Sequence, residues 1–181
     1  MSRIGKLPIP LSGAKVTISG NTVTATGSRG EDTFLLPDGI TIEVTGDMIH
    51  VNRRDDSPDQ RRLHGVTRAQ LNNRILGVTR GHTRELIVQG KGYQAELTGK
   101  SIEMQIGFSH KVVASIPEGL NVDLKLGQNT FTLTISGNDK HLVGDFAAAL
   151  YKIRPVEPYN LIGFRYSDQQ IKRKAAKSAT S

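Results

Sequence analysis

The sequence contains itself twice. Leu36-Pro37-Asp38-Gly39-Ile40-Thr41-Ile42-Glu43-Val44 returns 80 residues later as Ile116-Pro117-Glu118-Gly119-Leu120-Asn121-Val122-Asp123-Leu124. At an offset of 79, Gly20 and Val23 return as Gly99 and Ile102. At that same offset Leu63, Gly65, Ala69 and Leu71 return as Leu142, Gly144, Ala148 and Leu150. Three anchors in one order at a nearly constant offset describe two copies of one small unit. The 181 residues therefore divide into units of about 80, each large enough for its own core. The expected division is 1–81 for the first repeat, 82–153 for the second, and 154–181 for an extended basic C-terminal arm.

Within each copy the apolar pattern has period two, then period 3.6. In the first, Val16 and Ile18, then Val23 and Ala25, flank a Gly20-Asn21 turn, which is the pattern of a hairpin. Ile40, Ile42 and Val44 alternate with polar residues, and Ile49 and Val51 follow the Gly46-Asp47 turn. Ser57-Pro58 then opens a helix expected over 58–79, with serine as cap and proline in the first turn. Its apolar stripe reads Leu63, Val66, Leu71, Ile75 and Val78, with Arg61, Arg62, Arg68 and Arg74 largely off it. In the second copy Ile102, Met104 and Ile106 alternate, as do Leu120, Val122, Leu124 and Leu126, and Phe131, Leu133 and Ile135. A helix capped at Asn138 or Asp139 carries Leu142, Val143, Phe146, Leu150 and Ile153, and Pro155 stops it. The expected fold class is α+β: two tandem copies of a small antiparallel sheet covered by one helix.

Charge separates the copies. The chain has a formal net charge of +7, which points to a polyanionic partner. Residues 1–80 hold 11 Lys and Arg against 8 Asp and Glu; residues 81–151 hold 6 against 7; residues 152–181 hold 7 against 2. The positive excess thus belongs mostly to the arm. There is no cysteine, which excludes disulfides, thiolate metal sites and cysteine nucleophiles. The five histidines show no metal-ligand spacing. Gly99-Lys100-Ser101 ends like a phosphate loop but has Gln94 where that loop needs glycine, and reads as a hairpin turn. No Gly-x-Ser-x-Gly is present. No enzymatic activity, cofactor, metal, small-molecule substrate, membrane contact or homo-oligomer is expected, and the N-terminus lacks the apolar core of a signal peptide.

What remains is surface. The arm alternates aromatic and basic residues, Arg154, Tyr159, Phe164, Arg165 and Tyr166, and Pro155 and Pro158 stiffen it. Behind it come Lys172, Arg173, Lys174 and Lys177. The loop Gly107-Phe108-Ser109-His110-Lys111 adds an aromatic ring, a hydroxyl, an imidazole and a cation. Lys91, Lys140 and Lys152 complete the RNA-binding set expected from the residues. Cations beside aromatic rings suit phosphates and unstacked bases.

The residues also carry a family resemblance. The opening Met1-Ser2-Arg3-Ile4-Gly5-Lys6 with Pro8-Ile9, then Leu63-His64-Gly65 with Thr67-Arg68, and Gly90-x-Gly92-Tyr93 belong to it. So do Gly107-Phe108-Ser109-His110, Gly137-x-Asp139-Lys140, Val143-Gly144, Arg154-Pro155-x-Glu157-Pro158-Tyr159 and Gly163-x-Arg165-Tyr166. In this order, over essentially the whole chain, they resemble the bacterial protein number six of the large ribosomal subunit. The resemblance implies two tandem α+β domains and no catalysis. It also implies a structural role on 23S ribosomal RNA near the stalk base and the sarcin–ricin loop, with the second domain and the arm making most contacts, and it adds Gly163 to the RNA-binding residues beside Tyr159, Arg165 and Tyr166. Implied partners are that RNA and neighbouring large-subunit proteins, in the cytoplasmic 50S subunit. The chain departs from the family where Lys-Gly-Lys-Gly usually follows Pro-Tyr: here Asn160-Leu161-Ile162-Gly163 stands. Lys111 replaces a usual proline and Asp145 a usual glutamine. A competing function is a non-catalytic protein–protein adaptor, for which the apolar pair Leu161-Ile162 speaks.

Overall fold

A computed structural model describes residues 4–175 of the chain. Arg3 and Lys177 lie outside the described residues. The chain forms two compact units. One runs to His82 and includes Asn138–Lys140; the other comprises Thr83–Gly137 and the residues from His141 onward.

The first unit holds β1 (Ile9–Pro10), β2 (Lys15–Ser19), β3 (Thr22–Gly27), β4 (Gly30–Leu35), β5 (Ile40–Thr45), β6 (Met48–Arg53) and α1 (Pro58–Thr79). Its strands make two three-stranded antiparallel sheets, β2-β3-β4 and β1-β6-β5. The second unit holds β7 (His82–Gln89), β8 (Gln94–Thr98), β9 (Ser101–Gln105), β10 (Val112–Ser115), β11 (Leu120–Gly127), β12 (Thr130–Gly137), α2 (Lys140–Ile153) and β13 (Gly163–Tyr166). Its sheets are β10-β9-β8 and β11-β12-β7-β13. The order β11-β12-β7 repeats β5-β6-β1, and β8-β9-β10 repeats β2-β3-β4, so the α+β architecture is the same one twice. Each copy has two small sheets where the sequence suggested one. Each also has its own core: Val23, Ile49, Leu71, Ile75 and Val78 among others in the first, and Leu86, Met104, Phe131, Leu133, Ile135 and Phe164 among others in the second.

Three expectations are corrected. Residues 163–166, read from the sequence as part of an extended arm, form β13, an antiparallel partner of β7 that puts Phe164 opposite Val88. The stripe of α1 is rotated: His64, Thr67, Leu71, Ile75 and Val78 face inward, while Val66 is 48% exposed. Leu126 and Val44, expected inside, are exposed. Both sit toward the far ends of edge strands, β11 and β5, where sheet twist carries the strand off the core.

The rotation of α1 has a chemical cause. His64 is buried and its Nε2 lies 2.8 Å from the Val51 carbonyl. Its Nδ1 lies 2.9 Å from Nη1 of Arg53. Arg53 can only donate, so Nδ1 accepts and the ring proton sits on Nε2, donated to Val51. Arg53 in turn donates through Nε, 2.8 Å, and Nη2 to Asp56. A polar residue with both nitrogens satisfied thus occupies a core position. Ser57 caps the helix as expected, its hydroxyl accepting from Gln60 N.

The Arg53 guanidinium beside Asp56 holds its carboxyl below the ordinary value of 3.8. A depressed folded-state value stabilises the fold above the unfolded pKa and loses that contribution as the pH falls through the folded one. Asp56→Asn is therefore expected to be less stable than the unaltered chain near neutral pH. The difference should vanish as the solution is acidified below the Asp56 titration, followed by denaturant midpoints at successive pH values.

Candidate nucleic-acid interface

The interface is built around one arginine of the second unit. Arg154 follows α2, where Pro155 ends the helical run. Its Nη1 donates to the Ile106 carbonyl at 2.6 Å, and its guanidinium lies over Tyr93 (5.6 Å to the ring centre) and Phe108 (5.4 Å). A planar, weakly hydrated cation suits such a place between rings. Phe108 is 40% exposed and stacks on His110, with centroids 5.8 Å apart and planes 13° from parallel. The expected phosphate contact Arg154 is thus an internal strut that positions an exposed Phe-His platform. Ser109 and Lys111 are exposed beside it, and Lys111 is ion-paired with Glu103 at 3.5 Å.

The backbone of Arg154 closes a second loop. Its carbonyl accepts from Phe164 N, and the Phe164 carbonyl accepts from Val156 N. Glu157 N donates to Ile162 O and Leu161 N to Glu157 O, each at 2.9 Å. Residues 154–164 therefore form a tight hairpin-like loop, closed by a parallel bridge between Pro155 and Phe164, rather than a free strand of arm. Two residues in it carry positive φ, Leu161 at 59° and Gly163 at 124°. Leu161 is the residue standing where the resembled family has glycine. A leucine there bears about 1–2 kcal/mol of strain, which the surrounding hydrogen bonds over-determine. Gly163 has no alternative: a Cβ would lie 2.7 Å from the Arg154 carbonyl oxygen and 2.8 Å from that of Pro155.

The other expected residues separate into groups. Tyr159 is 44% exposed at the hairpin tip. Lys172, Arg173 and Lys174 are exposed and return to that tip: Lys174 N donates to the Pro158 carbonyl, and Arg173 Nε to that of Tyr159, both at 3.1 Å. Lys91 is exposed in the turn before Tyr93, and Lys152 in the last turn of α2. Tyr166 is spent internally, stacked on Tyr151 at 5.3 Å with Arg84 over its ring. Arg165 is half-buried, and its Nε has no hydrogen-bond partner among the described residues. Lys140 belongs to the first unit, where its Nζ donates to Asn73 Oδ1. The arginines of α1 are also engaged: Arg68 ties the Leu7 and Pro8 carbonyls, Arg74 pairs with Asp32 and covers Phe34, Arg61 donates to the Asp56 carbonyl and Arg62 pairs with Asp59. Sequence reasoning missed Arg84, Tyr93 and Tyr151, whose roles come from ring and cation contacts between separate elements and carry no local signal. Among the described residues no group of three or more His, Cys, Asp or Glu side chains could hold a metal ion.

A family model described as "Ribosomal protein L6" matches residues 12–81 and 89–167, one match in each unit. The chain belongs to the ribosomal protein L6 family. It is 42% identical over 180 residues to a protein of Acidothermus cellulolyticus, covering 98% of this chain and 99% of that one. It is 39% identical over 182 residues to one of Anaeromyxobacter sp., covering 100% of both. It is 40% identical over 181 residues to one of Bdellovibrio bacteriovorus, covering 99% of both. Each of the three is named "Large ribosomal subunit protein uL6". The family is one of ribosomal proteins and not of enzymes, as the absence of catalytic motifs in the sequence led us to expect.

Two substitutions read the geometry. Gly163→Ala is expected to cost about 1–3 kcal/mol in denaturant unfolding, because both strain and backbone overlap oppose it. Arg154→Ala is expected to speed amide hydrogen exchange across residues 107–110 while leaving the strand amides of β12 protected.

Proposed function

We propose that the chain is a structural constituent of the large ribosomal subunit, in the cytoplasm. In this reading it binds 23S ribosomal RNA near the stalk base and the sarcin–ricin loop, mainly through the second unit and its C-terminal residues, and so supports translation. The observation that carries this is one of position. Within a member of a ribosomal-protein family, the exposed cations Lys172, Arg173 and Lys174 return to an exposed tyrosine, Tyr159. Arg154 links that hairpin to the exposed Phe108-His110 stack. Exposed lysines neutralise phosphates and release counterions. Exposed rings accept unpaired bases at about 1–3 kcal/mol each. The folded units act as rigid mounts for these groups, and neighbouring large-subunit proteins are the further partners.

The adaptor reading rested on Leu161 and Ile162. Both are half-buried, which leaves only part of each side chain for an apolar partner.

The test is equilibrium binding to large-subunit ribosomal RNA fragments across a salt series, with small-subunit fragments as competitor. Binding should prefer the large-subunit RNA, and its logarithm should fall with log salt by about 0.7–0.9 for each phosphate contact. Phe108→Ala should weaken binding by about 1–3 kcal/mol with little change in slope. Equal affinity for both RNAs would sink the reading.

A further inference from the structure

We propose that the basic segment 172–174 is a built-in clip that completes a phosphate-binding site around Tyr159, and does not act as a free electrostatic tail. This deepens the RNA-binding reading above and rests on it for the identity of the ligand, a single-stranded or looped RNA phosphodiester.

The hairpin 154–164 presents Tyr159 at its tip with Asn160 exposed beside it. Between Pro155 and Phe164 it has no cation, and its one carboxylate is that of exposed Glu157. Taken alone, the tip is an aromatic ring with a net negative neighbourhood, a poor place for a phosphate. The chain beyond β13 changes this by reversing direction. Ser167 N donates to Glu85 O, Gln169 N to Tyr166 O, and Tyr166 N to Gln169 Oε1; Gln169 Nε2 reaches the Tyr151 hydroxyl at 3.4 Å. That turn aims the following residues back at the tip. There the Lys174 amide bonds the Pro158 carbonyl and Arg173 Nε bonds the Tyr159 carbonyl.

The consequence is a matter of pre-organisation. The Lys174 amide bond holds the backbone of the segment and the Arg173 Nε bond holds that side chain, so less ordering entropy is lost when a ligand arrives. Arg173 uses Nε on Tyr159, which leaves both terminal nitrogens of its guanidinium for a phosphate, the bidentate geometry such groups favour. Among the described residues no carboxylate pairs with Lys172, Arg173 or Lys174. The site therefore combines a ring for a base with three uncompensated cations for the backbone.

Position, and not charge alone, is what the test must read. The full-length protein carrying Lys172→Ala, Arg173→Ala and Lys174→Ala is compared with the unaltered chain for binding to a large-subunit RNA fragment over a salt series. The log–log slope should fall by about 2, the loss of three phosphate contacts. Two single additions to that triple variant then differ only in place. Asn160→Lys, at the tip, should recover part of the affinity and slope. Gln170→Lys, exposed in the tail, should recover neither. Independently of RNA, the Lys174 amide of the unaltered protein should exchange with solvent at least tenfold more slowly than an unstructured amide. Equal rescue by both lysines, or an unprotected Lys174 amide, would overturn the clip. Failure of the unaltered chain to bind RNA would instead overturn the ligand assignment and the ribosomal reading with it, while Lys174 protection would still report whether the segment is docked.

Discussion

The strand pair β13–β7 anchors everything the second unit presents. Phe164 is fully buried and meets Phe131 edge-on at 6.5 Å, with Val88 opposite it in the register. Burying such a side chain is worth about 1.5–3 kcal/mol, and a perpendicular ring pair adds about 0.5–1.5. With that ring fixed in the core, Gly163 is pressed against the Arg154 and Pro155 carbonyls, the hairpin closes, and the tail starts from a determined point. The interface is therefore an extension of the core. Removing the chain from 154 onward would take Phe164 with it, so the electrostatics of the C-terminal residues are separable from the fold only by substitution or by shortening beyond the Tyr166–Gln169 turn.

The arginines and lysines divide the work. Arg53, Arg68, Arg74, Arg84 and Arg154 each bond carbonyls, carboxylates, a ring nitrogen or aromatic faces within the protein. The flat guanidinium with five donors serves such joints, whereas the hydrated ammonium of lysine stays in water. A count of positive charge along the sequence treats these as equals. In space several of these cations are engaged within the protein, so the first unit, despite its arginine-rich helix, offers less free charge than its composition suggests.

The repeat was legible because duplication preserves the spacing of glycines and apolar residues, and those set the turns and the cores. Strand and helix positions followed from it. The stripe of α1 was misread because hydropathy ranks Val66 above His64, and only the Val51 carbonyl and Arg53 reveal that His64 can be buried at no polar cost. The sequence marked Phe108, His110 and Tyr159 as candidates, and all three are exposed. It could not distinguish Tyr159 from Tyr166, since both are aromatic residues in a basic stretch. What separates them is the Tyr151 ring and Arg84, brought in from α2 and β7. Likewise the tail reads as solvated charge until the Pro158 and Tyr159 carbonyls are seen to receive it.

The two copies also show how one fold can carry two surfaces. In the first, the edge strand β1 has two residues, and Pro10 has no amide hydrogen to donate. Such an edge is a poor template for another strand. Its counterpart β7 has eight residues, and β13 pairs along four of them. The longer edge of the second copy is where β13 docks, and β13 lies between the loop that carries Tyr159 and the basic segment. An open sheet edge is ordinarily a liability for aggregation. Here the first copy blunts it with a short strand and a proline, and the second covers it with its own chain. The cations Lys172, Arg173 and Lys174 lie on the segment that follows β13, the strand docked on the edge of the second copy.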